Sequence, residues 1–137
     1  MRAHRVLSFL LFGGSVWAQQ YVISTIAGGA PPTTPNKALA ASIGDPTRVA
    51  TDAAGNVYFG SLHSVFKVDA TGTLTRFAGN GRAGNSGDGG PALAAQFSTI
   101  QGVAIDRLGN LYLADTDNHR VRKVSGGVIA TIAAGNR

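Results

Sequence analysis

Arg48-Val-Ala-Thr-Asp-Ala-Ala-Gly-Asn-Val-Tyr-Phe59 returns, 54 positions later, as Gly102-Val-Ala-Ile-Asp-Arg-Leu-Gly-Asn-Leu-Tyr-Leu113. An internal repeat sets architecture, because a unit that cannot bury its own apolar face must stack on copies of itself. In each copy an acidic residue, two variable residues and Gly-Asn lead into an alternating apolar segment. Gly and Asn tolerate the positive φ of tight turns between antiparallel strands, and Val49, Val57, Val103, Ile105, Leu111 and Leu113 are β-formers at period two. The pattern predicts strands at about 48–52, 57–60, 65–69 and 73–78, then 102–106, 111–115, 120–124 and 128–133.

Two groups of four short strands, each closing on an apolar segment (Leu74 to Ala78 and Val128 to Ala133), have the layout of propeller blades. Tyr21 to Ala27 matches the same fourth strand without the three that should accompany it. The fold class is therefore all-β: a partial β-propeller of about two four-stranded blades, with one orphan N-terminal strand. The connector repeats too, Lys37-Ala-Leu-Ala-Ala-Ser-Ile43 aligning with Pro91-Ala-Leu-Ala-Ala-Gln-Phe97. Ala and Leu favour helix, Asn36 can cap the first copy and Pro91 suits the first turn of the second. A helix of one to two turns is expected in each, held against the blade edge through Leu39 or Leu93.

Nineteen glycines and no glutamate among 137 residues agree with strands and turns rather than helices. A hydrophobic fraction of 44% is that of a globular chain. The first eighteen residues read as a secretory signal: Arg2 and Arg5, an apolar run from Val6 to Trp17, and Val16-Trp17-Ala18 before a cut after Ala18. The run falls short of the roughly 20 residues that span a bilayer, so no membrane span is expected after cleavage. Without cysteine there is no lipobox thiol and no disulfide, so stability rests on packing. Removing Arg2 and Arg5 lowers the formal charge from +5 to +3, and Arg120, Arg122 and Lys123 lack interleaved aromatics. Neither feature favours nucleic acid. The domains expected are a signal at 1–18 and a propeller fragment at 19–137, with blade one at about 46–78, a connector at 79–101 and blade two at about 102–133.

Gly102 to Val124, with Gly-Asn-Leu-Tyr, Ala114-Asp115 and Asn118-His-Arg-Val-Arg-Lys-Val124 in order, preceded by Ala78-Gly-Asn-Gly81 and Gly87-Asp-Gly-Gly-Pro-Ala92, resembles an NHL repeat. It is the long-connector kind common in exported bacterial proteins. The first copy departs from the pattern: Gly60-Ser-Leu-His-Ser64 stands for Ala114 to Arg120, two residues shorter and without Asn-His-Arg. The family's proline before the first strand is Pro46 in copy one and Ile100 in copy two.

Several chemical motifs have a structural reading beside them. Gly79-Asn-Gly81-Arg-Ala-Gly84 spells a dinucleotide fingerprint, but Gly84, Gly87, Gly89, Gly90 and Pro91 forbid the helix whose N-terminus would hold a pyrophosphate, so a flexible connector is expected. Asp115, Asn118, His119 and Arg120, with Asp117, form either a ligand turn or an inter-blade turn. Their spacing matches no calcium or zinc loop, and Asp115 is expected to accept turn amides while Arg120 or His119 bridges to a neighbour. Asp88 among glycines reads as a turn former rather than a calcium ligand, and Asp52 and Asp106 as hairpin-entry residues. His63, in the degenerate turn, reads as a tolerated surface residue. No catalytic residue, cofactor or metal is assigned.

The function these readings support is an exported module, periplasmic or extracellular, that binds or scaffolds without catalysis and presents loops to a protein or carbohydrate. Two alternatives stay open. Some propellers of this type resemble metal-dependent lyases with a metal on the central axis, and a two-bladed chain could complete a ring by homo-oligomerisation as a lectin-like binder.

Overall fold

The computed structural model describes residues 35–135; the expected signal at 1–18 and the strand expected at Tyr21 to Ala27 lie outside the described residues. The strands are β1 (Asn36–Lys37), β2 (Val49–Thr51), β3 (Val57–Ser61), β4 (Ser64–Val68) and β5 (Thr73–Ala78), then β6 (Ile100–Ile105), β7 (Leu111–Asp115), β8 (Arg120–Ser125) and β9 (Val128–Ala134). Strands β2 to β5 form one antiparallel meander and β6 to β9 another. These are the two blades of a partial β-propeller.

Each inner hairpin is closed by the repeated Asp. Oδ1 of Asp52 accepts the amides of Ala54 (3.0 Å) and Asn56 (2.9 Å), while Oδ2 accepts the Asn56 side-chain amide (2.7 Å) and the Tyr58 hydroxyl (3.1 Å). Asp106 repeats this on Leu108, Asn110 and Tyr112. The positive φ falls on Gly55 (82°) and Gly109 (81°), not on the asparagines, whose role is to bond the Asp. Asp, Gly-Asn and Tyr therefore form one turn unit, which is why they recur together.

The connector differs from expectation. Ala38–Ala40 and Ala92–Ala94 form single 3-10 turns with no side-chain cap, and Asn36 lies in β1 instead of capping. Leu39 is 77% exposed and Leu93 50%; the buried residues are Ala38, Ala41 and Ile43, and in the second copy Ala92, Ala95 and Phe97. A single turn followed by extended backbone points its first, fourth and sixth residues inward, and leaves the leucine outside.

The chain just before each 3-10 turn pairs with the outer strand of the blade that follows. Asn36 and Lys37 pair with Leu74 and Thr73, and the Ala38 amide donates to Gly72 O (2.9 Å). In the second copy Pro91 bridges Val128, and the Ala92 amide donates to Gly127 O (2.8 Å). Each connector thereby blunts the exposed edge of its own blade.

The main core lies between the blades. Tyr58, Val65 and Ala78 of blade one meet Leu111, Leu113, Val124 and Ile129 of blade two, with Ala92, Ala95, Phe97 and Ile100 between them. Phe77 packs edge-on to Tyr58 with centroids 5.2 Å apart. A second cluster, Phe59, Phe66 and Leu74 under Ala38, Ala41 and Ile43, covers part of the other face of blade one.

The segment that spells a dinucleotide fingerprint is ordered by main-chain bonds: Gly79 N to Ala92 O (2.8 Å), Asn80 N to Ala95 O (2.9 Å) and Gly84 N to Phe97 O (3.1 Å). It is not a flexible loop. A Cβ on Gly79 (φ 87°) would stand 2.4 Å from His63 O, whereas one on Gly81 (φ 82°) would meet nothing within 4 Å. Gly81→Ala is expected to cost only the left-handed backbone penalty, about 1–2 kcal/mol. Gly79→Ala adds a main-chain clash and should lower the urea midpoint by more than twice as much.

The turn carboxylates also set the acid stability. Hydrogen bonds from Asn56 and Asn110 hold Asp52 and Asp106 below the ordinary carboxylate pKa, against a smaller opposing effect of desolvation. The Thr71 hydroxyl does the same for Asp69. With the folded pKa depressed, their stabilisation is complete above the unfolded carboxylate pKa of about 4 and is lost as pH falls through the folded value. The urea midpoint should decline from about pH 5 downward, and Asp52→Asn with Asp106→Asn should lower it at pH 7 and flatten the acid decline.

Candidate functional site

The turns β3–β4 and β7–β8 and the connector between blades meet at one end of the molecule. The first turn has only two residues between paired Ser61 and Ser64, so Leu62 and His63 both take positive φ (49° and 53°). The second runs through a 3-10 turn at Thr116–Asn118 and ends on His119, also left-handed (φ 52°). Non-glycine residues held in this region carry strain of order 1–2 kcal/mol each.

Asp115, Asn118 and Arg120 converge on the connector. Asp115 is fully buried; its Oδ1 accepts the Ser98 amide (2.9 Å) and its Oδ2 the Asn118 side-chain amide (2.8 Å). Asn118 donates as well to Gly84 O (2.7 Å), and Arg120 to Asn85 O (3.3 Å). His119 turns its backbone to this work: its amide donates to Thr116 O and its carbonyl accepts from Gly135 N, both at 2.8 Å. Asp115, Asn118 and Arg120 thus grip the connector, while His119 closes the turn and ties it to the chain after β9.

Sequence reasoning missed the centre of this grip, Arg122. Its side chain is wholly buried and lies over the Phe97 ring at 5.3 Å. One nitrogen donates to Gln96 O (2.9 Å), the other to Ser86 O (3.1 Å) and to Asp88 Oδ1 (2.7 Å), and Asp115 Oδ2 stands 3.9 Å away. Asp88 is thus the arginine's partner and not only a turn former. Burial raises its pKa, but Thr131 and the hydrogen bond and charge of Arg122 outweigh that and bring it below the ordinary value. The signal in the sequence was the repeat register: Leu113 pairs with Arg122 where Phe59 pairs with Phe66. An arginine at a position occupied by a buried phenylalanine needs buried acceptors.

His63 is half-buried, not a free surface residue. Ser98 O accepts from its Nδ1, which places a proton there and leaves Nε2 without a protein partner among the described residues. Beside it opens a cleft of about 200 Å³ between the blades, lined by Asp45, Thr47, Ser61, His63, Ser98 and Thr99. The Thr99 hydroxyl donates to Asp117, which holds one wall in place. Among the described residues no three His, Cys, Asp or Glu side chains gather as metal ligands would.

Strands β6 and β7, the Asn118–Arg120 turn and the buried Arg122 of β8 fall in one stretch, and residues 97–124 match the NHL repeat family. The chain carries an NHL repeat. No curated protein matches it. The NHL match begins at Phe97, the last inward residue of the connector, and ends at Val124, opposite Leu111. Blade one, outside the matched stretch, has the same meander with the grip removed: Ser61 stands where Asp115 does, and Phe66 where Arg122 does.

Breaking a buried ion pair from one side leaves an uncompensated charge, at a cost of about 3–5 kcal/mol. Arg122→Phe alone should therefore lower urea stability by about that much, by stranding Asp115. Adding Asp115→Ser, which copies blade one, is expected to recover more than half of the loss.

Proposed function

We propose that this chain is an exported binding or scaffold module of the NHL β-propeller type that carries out no chemistry of its own. The observation that supports this most is how the polar groups are spent. Asp52, Asp106, Asp115, Asn118 and Arg122 are each committed to a turn or to the connector. A catalytic base or acid needs a free, positioned lone pair or proton, and these groups have given theirs to the fold. What remains open is His63 Nε2 beside the inter-blade cleft; the hydroxyls of Thr47, Ser61 and Ser98 that line it donate to Gly60 O, Ile43 O and Asp117 and keep only acceptor lone pairs.

A cleft of about 200 Å³ holds a single sugar ring or one polar side chain of a protein partner. Hydroxyl and imidazole lone pairs suit either, because a sugar hydroxyl and a polar side chain both bring donors to them. Strain at Leu62 and His63 favours a functional turn, since Asn-Gly would close the same hairpin without it. Export is supported by the Arg2, Arg5 and Val6 to Trp17 pattern.

Thermal-shift titration of the purified chain against a panel of monosaccharides and disaccharides should give a saturable stabilisation with at least one. His63→Ala should weaken that response at least tenfold, and Arg107→Ala, away from the cleft, should leave it unchanged. Stoichiometric zinc or calcium in the purified protein, with lyase turnover dependent on it, would overturn the reading.

A further inference from the structure

Each blade has two unlike faces, and the chain shows once how they fit. The following face of blade one, Tyr58, Val65, Phe77 and Ala78, lies against blade two. The preceding face of blade two, Leu111, Leu113, Val124 and Ile129, receives it. Where they meet, Val65, Ala78, Leu111 and Ile129 lose all contact with solvent.

Among the described residues the opposite pair of faces is only partly covered, the first connector shielding Phe59, Phe66 and Leu74 but not the rest of its face. Pairing of Val65 with Ala78 and of Val121 with Ala133 puts Val121, Ile132 and Tyr112 in the places of Val65, Phe77 and Tyr58. Val121 is 38% exposed and Ile132 52%. On the other side, Val57 and Val68 stand where Leu111 and Val124 are buried, yet both are only half-buried, and Val49, the counterpart of Val103, is 61% exposed. With Phe59 and Ile43 they line an apolar groove of about 660 Å³.

The geometry points to head-to-tail association of copies of this chain, the Tyr112–Val121–Ile132 face of one copy seating on the Val49–Val57–Val68 groove of the next. A second copy is the occupant because the chain's own inter-blade joint already demonstrates the match: a following face of this design covers a preceding face of this design, and both free surfaces continue that same interface. Two following faces would not reproduce it, so the contact is heterologous and must close as a ring or run on as a filament. Continuing the blade-to-blade step closes propellers at about four to eight blades, which here means two, three or four copies.

Sedimentation of the whole purified chain should give one discrete species of two to four times the chain mass. Val121→Asp and Val49→Asp, each on one face only, should each reduce it to a single copy with an unchanged far-ultraviolet dichroism spectrum. An equimolar mixture of the two variants should return a species of twice the chain mass, since one intact joint survives between them. The native sequence has no cysteine, so the thiol of Val121→Cys gives a reading free of any folding defect. It should react with a maleimide at least tenfold more slowly at assembling concentrations than after dilution. A wild-type monomer, a variant mixture that stays monomeric, one variant that keeps the full assembly, or a thiol equally reactive at both concentrations would each overturn the proposal.

Discussion

Leu111, Leu113, Val124 and Ile129 can leave water only because Tyr58, Val65 and Ala78 of blade one, with Ala92, Ala95 and Phe97 of the connector, lie on them. A four-stranded sheet of three- to seven-residue strands pairs its inner strands, but its two faces are covered by neither the sheet nor its turns. Everything else in the molecule serves that stacking. The turn units of Asp52 and Asp106 fix the hairpin register, so that alternate residues reach the correct face. Gly60 lets β6 approach, since a Cβ there would stand 2.8 Å from Ile100. The connectors close the outer edges, and the second inserts Ala92 and Ala95 between the sheets.

The connector has to be held, and the blades hold theirs differently. Blade one uses stacked Phe59 and Phe66, with centroids 5.7 Å apart, under Ala38, Ala41 and Ile43. Blade two uses Arg122, which spreads its donors over Gln96, Ser86 and Asp88. An apolar plug stabilises through buried area and packing and needs no polar partner to arrive in a set place. A buried guanidinium instead demands that specific carbonyls arrive in place, which suits a connector as long and glycine-rich as Gly79 to Gly90. The same charge explains why Asp115, Asn118 and Arg120 are occupied with structure, and why the open inter-blade cleft is the better place to seek a ligand.

Much of this was legible in the residues. The eight blade strands fall within two residues of their expected positions, because Gly-Asn turns and period-two apolar residues are local signals. The connector was misread because Ala-Leu-Ala-Ala carries helical propensity, yet in the second copy the Gln96 amide donates to Ser86 O and Ala95 O accepts from Asn80, so the groups that would continue a helix are bonded elsewhere. His63 was misread for a related reason: only packing brings it to Ser98, 35 positions away.

The sequence by itself determined the repeat, the hairpins, the blade class and the Asp-Asn-Tyr turn unit, since the repeat is a direct echo of residues and the turn units join residues within six positions of one another. Tertiary structure alone decided which apolar residues are core, that Leu39 is out and Ala38 in, and that Arg122 and Asp88 are partners across 34 positions. Burial and ion pairing depend on which surfaces meet, and in a stacked fold the neighbouring blade settles that.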